Sequence, residues 1–305
     1  MSYEFIDNFS RHSKEYSSSR PTYPDLLFKF LSAIPPQKDL AWDCGTGNGQ
    51  SVIGLCKYFK KVIASDASEN QIRHGFQREN IDYKIFPAEN PSLDNDSVDL
   101  VTVAQALHWF DFEKFYINVK RVGKNDGIIA VWCYDMHKIN PQIDRISNSL
   151  SVDGDILGNY WAKETKYVKE KYKTIPFPFK EISVPVFKTT LYWNLRQLWN
   201  YMKTWSSVKK YYSENKHDPL DLVKSELKSL WGGELDKKRS YMEYKYSCRI
   251  HKITCTILYL LYHNKDLKTK LFHNLIFIPV KMKTKKQGSG DFSLTLLCIN
   301  FVLQF

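Results

Sequence analysis

Three glycines spaced two residues apart constrain this chain more than any other feature of its sequence. The stretch 40–50 reads LAWDCGTGNGQ, a short apolar strand that ends at Asp43 and is followed by Gly45, Gly47 and Gly49. Glycine reaches positive φ without a steric penalty, and a turn without side chains lets a ligand lie against backbone amides. The stretch therefore predicts a strand, a ligand-binding turn and a helix.

A second acidic residue ends the next predicted strand. Asp66 closes the segment KVIASD, 17 residues after Gly49. Nucleotide-binding folds place a carboxylate for the ribose at a similar distance, roughly 20 residues past the glycines. A dinucleotide-binding turn has the spacing GxGxxG, whereas the spacing here is DxGxGxG. The glycine positions therefore argue against a dinucleotide cofactor.

Four segments together resemble the class I S-adenosylmethionine-dependent methyltransferases, and among them the relatives of trans-aconitate methyltransferase. They are FSRHSKEYSSSRPTYP, the glycine turn, PAENPSLDNDSVDLV and AQALHWFD. The first motif of the family has the form (D/E)xGxGxG, and its ligand carries no phosphate at this turn. The resemblance covers roughly residues 5–233. It implies S-adenosyl-L-methionine as the cofactor and methyl transfer to a small molecule as the reaction.

From residue 40 onward, short apolar runs alternate with amphipathic segments, which predicts βαβ units and a mostly parallel sheet. The predicted strands lie near 40–44, 61–66, 82–87, 98–104 and 127–134, and the helices near 49–59, 69–79 and 112–122. The last two of these strands are almost continuously apolar, so we expect both of their faces to be buried. With the resemblance, this predicts an α/β fold, Rossmann-like, with a mostly parallel seven-stranded sheet flanked by helices.

The second half of the chain does not continue this alternation of strands and helices. An aromatic, lysine-rich insertion at about 141–180 is expected to form a cap over the substrate. A strand is expected over 181–193, with helices near 194–205 and 219–230. The segment 242–250 is expected to be the last strand, paired antiparallel at the edge of the sheet.

Charge separates the end of the chain from the rest. The net charge is +11, but residues 1–234 carry only +2 and the last 71 residues carry +9. The near-neutral body argues against a basic surface for nucleic acid beside the proposed site. We predict a lid over 1–39, a methyltransferase domain over 40–252, and a basic, apolar tail over 253–305 that is poorly ordered.

The resemblance also implies which residues contact the cofactor. Asp43 would meet the sulfonium or the amino group of the methionine moiety through a charge-assisted contact, and Asp66 would accept hydrogen bonds from the ribose hydroxyls. The other implied cofactor contacts are Tyr16, Gly45, Thr46, Gly47, Gly49, Ala67, Ser68, Ala88, Glu89, Gln105 and Ala106.

Three residues are the candidates for catalysis. His108 and Trp109 are implied to face the cofactor or the substrate, and Arg20 offers a planar fork for a carboxylate of either. An ionised acid needs no general base, whereas an alcohol or phenol would need His108 with a pKa near neutrality. A small carboxylic acid is therefore the expected acceptor. The alternatives are an RNA or protein methyltransferase that uses the basic tail, and a cofactor-binding protein with impaired activity.

Several classes of protein are disfavoured. The six cysteines form no CxxC pair and no metal-finger spacing, so we expect reduced thiols and no metal. The amino terminus lacks the apolar core of a secretory signal, and the longest apolar run, 253–262, is too short to span a bilayer. The expectation is a cytoplasmic protein that does not enter the membrane.

Overall fold

Five parallel strands form the centre of the fold, as the alternating pattern predicts. A computed structural model describes residues 20–134, 136–232 and 239–253. Most of the predicted lid before Arg20, including Tyr16, and nearly all of the predicted tail lie outside the described residues. The five strands are β1 (Leu40–Cys44), β2 (Lys61–Asp66), β3 (Ile81–Ile85), β4 (Val98–Ala104) and β5 (Gly123–Tyr134).

These strands lie in the order β3-β2-β1-β4-β5. The register places Asp43 of β1 between Ala64 of β2 and Thr102 of β4. Because all five run in the same direction, their carboxyl ends lie along one end of the sheet. The glycine turn, Asp66 and Gln105 all follow strands at that end, so the topology brings these separated segments together.

Three further strands extend the sheet beyond β5. They are β6 (Lys180–Ile182), β7 (Phe187–Asn194) and β8 (Arg239–Lys252). β8 pairs antiparallel with β5 on one side, and both β6 and β7 pair antiparallel with its other side. The described sheet is therefore mixed, and the last strand is internal rather than at the edge as predicted.

The sheet contains eight described strands, whereas seven were predicted. The difference arises because the expected strand over 181–193 is divided into β6 and β7, which pair with successive parts of β8. Pro185 lies between them. Proline has no amide hydrogen to give to a neighbouring strand, which interrupts pairing at that position.

Nine α-helices are described. They are α1 (Asp25–Ser32), α2 (Val52–Leu55), α3 (Glu69–Ile72), α4 (Phe112–Val122), α5 (Pro141–Ser149), α6 (Thr165–Lys169), α7 (Leu195–Lys203), α8 (Ser206–Asn215) and α9 (Asp221–Trp231). Single 3₁₀ turns occupy Leu107–Trp109 and Gly158–Tyr160. The predicted helix over 112–122 is confirmed, and its first turn is capped by Asp111, whose side chain accepts from the Lys114 amide. The sequence pattern did not predict α8.

The helices that follow β1 and β2 are much shorter than predicted. Only four residues of 49–59 and four of 69–79 are helical. Gly54 lies inside the first helix and Gly75 follows the second, and glycine is among the weakest helix formers, so neither segment favours a long helix. A Cβ at Gly75 would stand 2.5 Å from the Tyr83 ring, so the chain at this position packs directly against β3.

Apolar side chains cover both faces of the sheet. Trp132 of β5 is fully buried on the face covered by α1, α2, α5, α7, α8 and α9. Trp42 of β1 is fully buried on the opposite face, which α4 covers. Residues 98–103 of β4 are all buried, as expected for a strand with helices on both sides. This packing holds the carboxyl ends of the strands at fixed positions.

Gly54→Ala should destabilise the protein, because a Cβ at this position would stand 2.1 Å from the Phe28 ring of α1. Phe28 is buried, so its ring has little room to move. We expect a loss of about 1–3 kcal/mol in the free energy of unfolding, measured by urea denaturation. The loss should be smaller in a Phe28→Leu background, and an equal loss in both backgrounds would contradict this packing explanation.

Candidate cofactor site

The glycine turn has the backbone that its sequence predicts. Gly45, Gly47 and Gly49 have φ angles of 64°, 56° and 83°. These values lie in the left-handed region that side chains disfavour. The amide of Thr46 donates to the carbonyl of Ser65 at 2.9 Å, which ties the turn to the end of β2. Three left-handed residues within five positions explain why glycine is needed at each of them.

The glycines differ in what surrounds them. A Cβ at Gly45 would stand 2.8 Å from the Ala106 Cβ and 3.0 Å from the Phe110 ring. At Gly47 the single described atom within 4 Å is the Gln71 Oε1, at 3.8 Å. Gly45 thus allows close packing against the segment after β4, whereas Gly47 borders open space. That space is where a bound ligand could approach the turn.

Asp43 lies under the turn and has no exposed surface. Its Oδ1 accepts a hydrogen bond from the Thr102 hydroxyl and its Oδ2 accepts one from the Thr46 hydroxyl, both at 2.6 Å. Burial raises the pKa of this carboxyl to about 6, although the two hydroxyl bonds oppose the shift. Both carboxylate oxygens thus accept hydrogen bonds from protein hydroxyls, which join β1, β4 and the turn. Direct contact of Asp43 with the methionine moiety stays a prediction.

Asp66 joins the turn to the segment after β2. Its Oδ2 accepts from the Gly47 amide at 2.9 Å and its Oδ1 accepts from the Ser68 amide at 2.9 Å. Each carboxylate oxygen can accept two hydrogen bonds, so these bonds are compatible with the predicted ribose contact. Ala67, between them, is half-buried. The structure thus places Asp66, Ala67 and Ser68 directly beside the glycine turn.

The segment after β3 adjoins the start of α4. Ala88 is buried, and Glu89 is half-buried with its Oε1 accepting from the Asp111 amide at 2.9 Å. The Glu89 carbonyl also accepts from Asn118 Nδ2 at 2.7 Å. Glu89 therefore holds the loop after β3 against the first turns of α4. Its contact with adenine stays a prediction.

The segment after β4 bends sharply at Gln105, whose φ is 56°. The Gln105 amide donates to the Trp132 carbonyl at 2.9 Å, and its Nε2 donates to the Tyr134 carbonyl at 3.2 Å. These bonds hold the bend against the end of β5, and Ala106 follows beside Gly45. Gln105 and Ala106 are therefore brought together with the glycine turn, as predicted from the sequence.

His108 and Trp109 form the 3₁₀ turn that follows, with their ring centroids 4.7 Å apart. His108 is buried, and its Nδ1 lies 3.0 Å from the Tyr172 hydroxyl. Burial lowers the pKa of His108 to about 3. The imidazole is therefore neutral at physiological pH. An alcohol acceptor would need His108 as a general base with a pKa near neutrality. The pKa in this structure is well below that range.

Arg20 lies at the end of β5, away from the glycine turn in sequence. Its Nη1 donates to the Tyr134 hydroxyl at 3.2 Å, and its Cζ lies 5.3 Å from the centroid of the Tyr201 ring. Arg20 is half-buried. A guanidinium held by a phenol and an aromatic ring is a cation fixed in position, and planar guanidinium groups bind carboxylates in two-bond geometry.

Several residues of the site were not identified from the sequence. Thr102 lies in the middle of an apolar strand, and its polar character there was the available signal. Tyr134, Tyr172 and Tyr201 come from three distant segments, and only the fold brings them to Arg20 or His108. No short motif connects these positions, so spacing alone could not have grouped them.

Among the residues that the structure describes, no group of three or more His, Cys, Asp or Glu side chains is placed to hold a metal ion. None of the helices in the described ranges is both long enough and apolar enough to cross a bilayer.

Comparisons with known proteins all find methyltransferases. A family model described as a methyltransferase domain matches residues 42–131. A protein of Dictyostelium discoideum, named as a methyltransferase, is 39% identical over 189 residues, 60% of this chain and 72% of the relative. One of Saccharomyces cerevisiae, named as an S-adenosylmethionine-dependent methyltransferase, is 29% identical over 168 residues, 50% of this chain and 56% of the relative.

A solved structure is also similar. It is titled as a type II methyltransferase from Anaeromyxobacter dehalogenans and matches with a TM-score of 0.70 and 31% identity. The match covers 77% of this chain and 98% of the bacterial chain. The similarity therefore includes the fold beyond the segment that carries the glycine turn.

Gly47→Ala and Gly45→Ala form a matched pair, because both residues have nearly the same positive φ and should suffer similar backbone strain, about 1–2 kcal/mol. We expect Gly47→Ala to fold but to bind S-adenosylhomocysteine at least about tenfold more weakly, because its Cβ enters the open space. Gly45→Ala should lose more stability, since it also collides with Ala106. Calorimetry and thermal melting measure the two effects. Unchanged affinity in Gly47→Ala would contradict this assignment.

Asp43→Asn should change how stability depends on pH. The pKa of Asp43 is about 6 in the folded protein and about 3.9 in an unfolded chain. The folded state therefore binds more protons between these values, a stabilisation present below about pH 4 and lost as the pH rises through 6. We expect the free energy of unfolding, wild type minus Asp43→Asn, to fall by about 2 kcal/mol from pH 4 to 7. Denaturation at several pH values measures it, and a constant difference would refute the shift.

Proposed function

This chain belongs to the S-adenosylmethionine-dependent methyltransferases, and on that premise we propose that it methylates a carboxylate oxygen of a small organic acid. S-adenosylmethionine is the cofactor of the family, and when bound it supplies a methyl group carried on a positively charged sulfur. The proposed acceptor class agrees with the resemblance to relatives of trans-aconitate methyltransferase. The observation that carries the proposal is the position of Arg20.

The residues around the glycine turn fit a nucleoside cofactor. Among the described residues, the single side-chain atom within 4 Å of a Cβ at Gly47 is Gln71 Oε1, at 3.8 Å, so these residues leave room for a ligand against the backbone. Asp66 is beside it and has a carboxylate that can accept ribose hydroxyls in addition to its two backbone bonds. Gln105 and Ala106 would border the cofactor from the end of β4. Asp43 would hold the turn through its two hydroxyl bonds and contribute negative charge beside the methionine moiety.

Arg20 supports an anionic acceptor. Its guanidinium is held by the Tyr134 hydroxyl at the carboxyl end of β5 and by the ring of Tyr201 in α7. Burial raises the pKa of both the Tyr201 and the Tyr244 phenol far above the usual range. The positive charge of Arg20 lies close enough to oppose this rise in both. Such an arrangement suits a substrate carboxylate, because the cation is fixed before the substrate arrives.

The chemistry of the reaction also favours an acid. Methyl transfer is an in-line displacement, in which the protein must hold the acceptor atom roughly 3 Å from the methyl carbon and exclude water. A carboxylic acid has a pKa of about 4 and is therefore already ionised at neutral pH. His108 is neutral and a very weak base, so it is not suited to remove a proton from an alcohol. The protein's contribution would be orientation and desolvation.

The test is a methyl-transfer assay with labelled S-adenosylmethionine and matched acceptors. We propose trans-aconitate, citrate and simple dicarboxylic acids, with the corresponding methyl esters and alcohols as uncharged controls. Bulk RNA and a protein mixture test the alternative polymer acceptors. Turnover of acids but not of esters supports the proposal. Turnover of a polymer alone would refute it, and cofactor binding without turnover of any acceptor would favour an impaired enzyme.

Arg20→Gln should raise the KM for the acid roughly 30- to 100-fold, because it removes a charge-assisted contact to the carboxylate. Arg20→Lys should lose less, since it keeps the charge but not the planar fork. Affinity for S-adenosylhomocysteine, measured by calorimetry, should change less than about twofold. Arg145→Gln is the control, because Arg145 is exposed and pairs with Glu226.

Whether Arg20→Gln changes the KM for the acid or the affinity for S-adenosylhomocysteine decides which carboxylate Arg20 binds. If affinity for S-adenosylhomocysteine fell while the KM for the acid were unchanged, Arg20 would hold the carboxylate of the cofactor instead. That result would remove the main support for an acidic acceptor.

A further inference from the structure

Tyr172 connects the insertion after β5 to the turn that carries His108. Its side chain has no exposed surface, and its hydroxyl lies 3.0 Å from His108 Nδ1. The ring centroids of the two residues are 6.0 Å apart. Tyr172 lies 64 residues after His108, so this is a tertiary contact between the proposed cap and the proposed site.

The direction of this hydrogen bond follows from the partners of the phenol. Among the described residues, His108 Nδ1 is the hydrogen-bond partner of the Tyr172 hydroxyl, and the Tyr172 side chain has no exposed surface. A buried O–H group without an acceptor is costly, so the phenol hydrogen donates to His108 Nδ1. A neutral imidazole that accepts at Nδ1 carries its hydrogen on Nε2. The Tyr172 contact thus selects one tautomer of His108.

The backbone around Tyr172 is held in an unusual conformation. Lys171 and Tyr172 have φ angles of 59° and 58°, two consecutive left-handed residues that are not glycine. The Tyr172 amide donates to the Tyr167 carbonyl at 2.8 Å. Arg249 Nη1 of β8 donates to the carbonyls of Tyr172 at 2.9 Å and Ile175 at 2.7 Å. The strained segment is thereby fixed to the sheet, which keeps the phenol in place.

We infer that Tyr172 is a positioning residue that holds His108 as a neutral imidazole with its hydrogen on Nε2. His108 then serves the site as a hydrogen-bond donor to the acceptor oxygen and not as a base. This inference rests on the proposed function for the identity of that oxygen. The low pKa of His108 agrees with it, because a buried imidazole keeps the neutral form over the physiological range.

The inference has a consequence for specificity. A fixed donor can orient an oxygen that is already negatively charged, but it cannot remove the proton from an alcohol. Among small molecules, the site would select those whose acceptor oxygen arrives ionised. The dependence of kcat on pH should therefore contain no step from ionisation of His108 between about pH 6 and pH 8.

The test compares Tyr172→Phe with Tyr116→Phe in the full chain with S-adenosylhomocysteine bound. Tyr116 is a suitable control, because it is buried on the same face and its hydroxyl has no hydrogen-bond partner among the described residues. Nitrogen NMR of histidine-labelled protein reports which ring nitrogen carries the hydrogen, and His108→Gln assigns the signal. We expect His108 with hydrogen on Nε2 in the wild type and Tyr116→Phe, and a mixture of tautomers in Tyr172→Phe.

Kinetics with trans-aconitate as the probe acid give the second readout. Tyr172→Phe should lower kcat about tenfold with KM within about threefold of the wild type, because the donor is misaligned but the Arg20 contact remains. Tyr116→Phe should leave both within about twofold. Melting temperatures of the two variants separate this effect from general destabilisation.

Two outcomes would overturn the inference. One is a wild-type His108 that carries its hydrogen on Nδ1 or is cationic at pH 7, even if acids are methylated. The other is an equal response of Tyr172→Phe and Tyr116→Phe in both the tautomer and kcat. The tautomer is measured without an acceptor, so a wrong acceptor class alone would leave the expected NMR result intact and refute only the proposed function.

Discussion

The buried carboxylate of Asp43 is the interaction on which the site depends. It accepts hydroxyl hydrogen bonds from Thr46 in the glycine turn and Thr102 in β4, and so ties three segments together. Removing a carboxylate from water is costly, and the raised pKa reflects that cost. Two short hydroxyl bonds offset part of it. These bonds tie the turn, with its three left-handed glycines, to β1 and β4.

Asp66 extends the same arrangement to the next strand. It accepts the amides of Gly47 and Ser68, so the two strand-end carboxylates hold two consecutive residues of the turn, Thr46 and Gly47. Asp43 is fully buried, whereas Asp66 is half-buried. Asp43 therefore supports the turn from within the protein, and Asp66 keeps some exposed surface beside the turn.

The side of the site that we propose for the acceptor is built from a different part of the chain. Tyr134 ends β5, Tyr201 lies in α7, Tyr172 lies in the insertion, and Arg249 lies in β8. The antiparallel β8 matters here, because its position between β5 and β7 brings the second half of the chain against the ends of the parallel strands. The cofactor side thus depends on local turns after strands, whereas the acceptor side depends on long-range packing.

Much of the fold followed from the pattern of residues. The parallel strands were predicted within a few residues, because continuous apolar runs and strand-end acids are strong local signals. The helices after β1 and β2 were predicted too long, since amphipathic spacing persists through residues that the structure places in turns rather than in helices. Pro185 was visible in the sequence, but its division of a strand into two depends on the length of β8 opposite it.

By itself, the sequence determined the cofactor turn, the parallel part of the sheet and the family, because glycine φ preferences, strand alternation and strand-end acids act over a few residues. Only the tertiary structure decided the orientation and the protonation of the side chains. Asp43 points into the protein because two hydroxyls from separate segments surround it. His108 is neutral because burial against Tyr172 removes it from water, and a pKa depends on surroundings that neighbours in sequence do not specify.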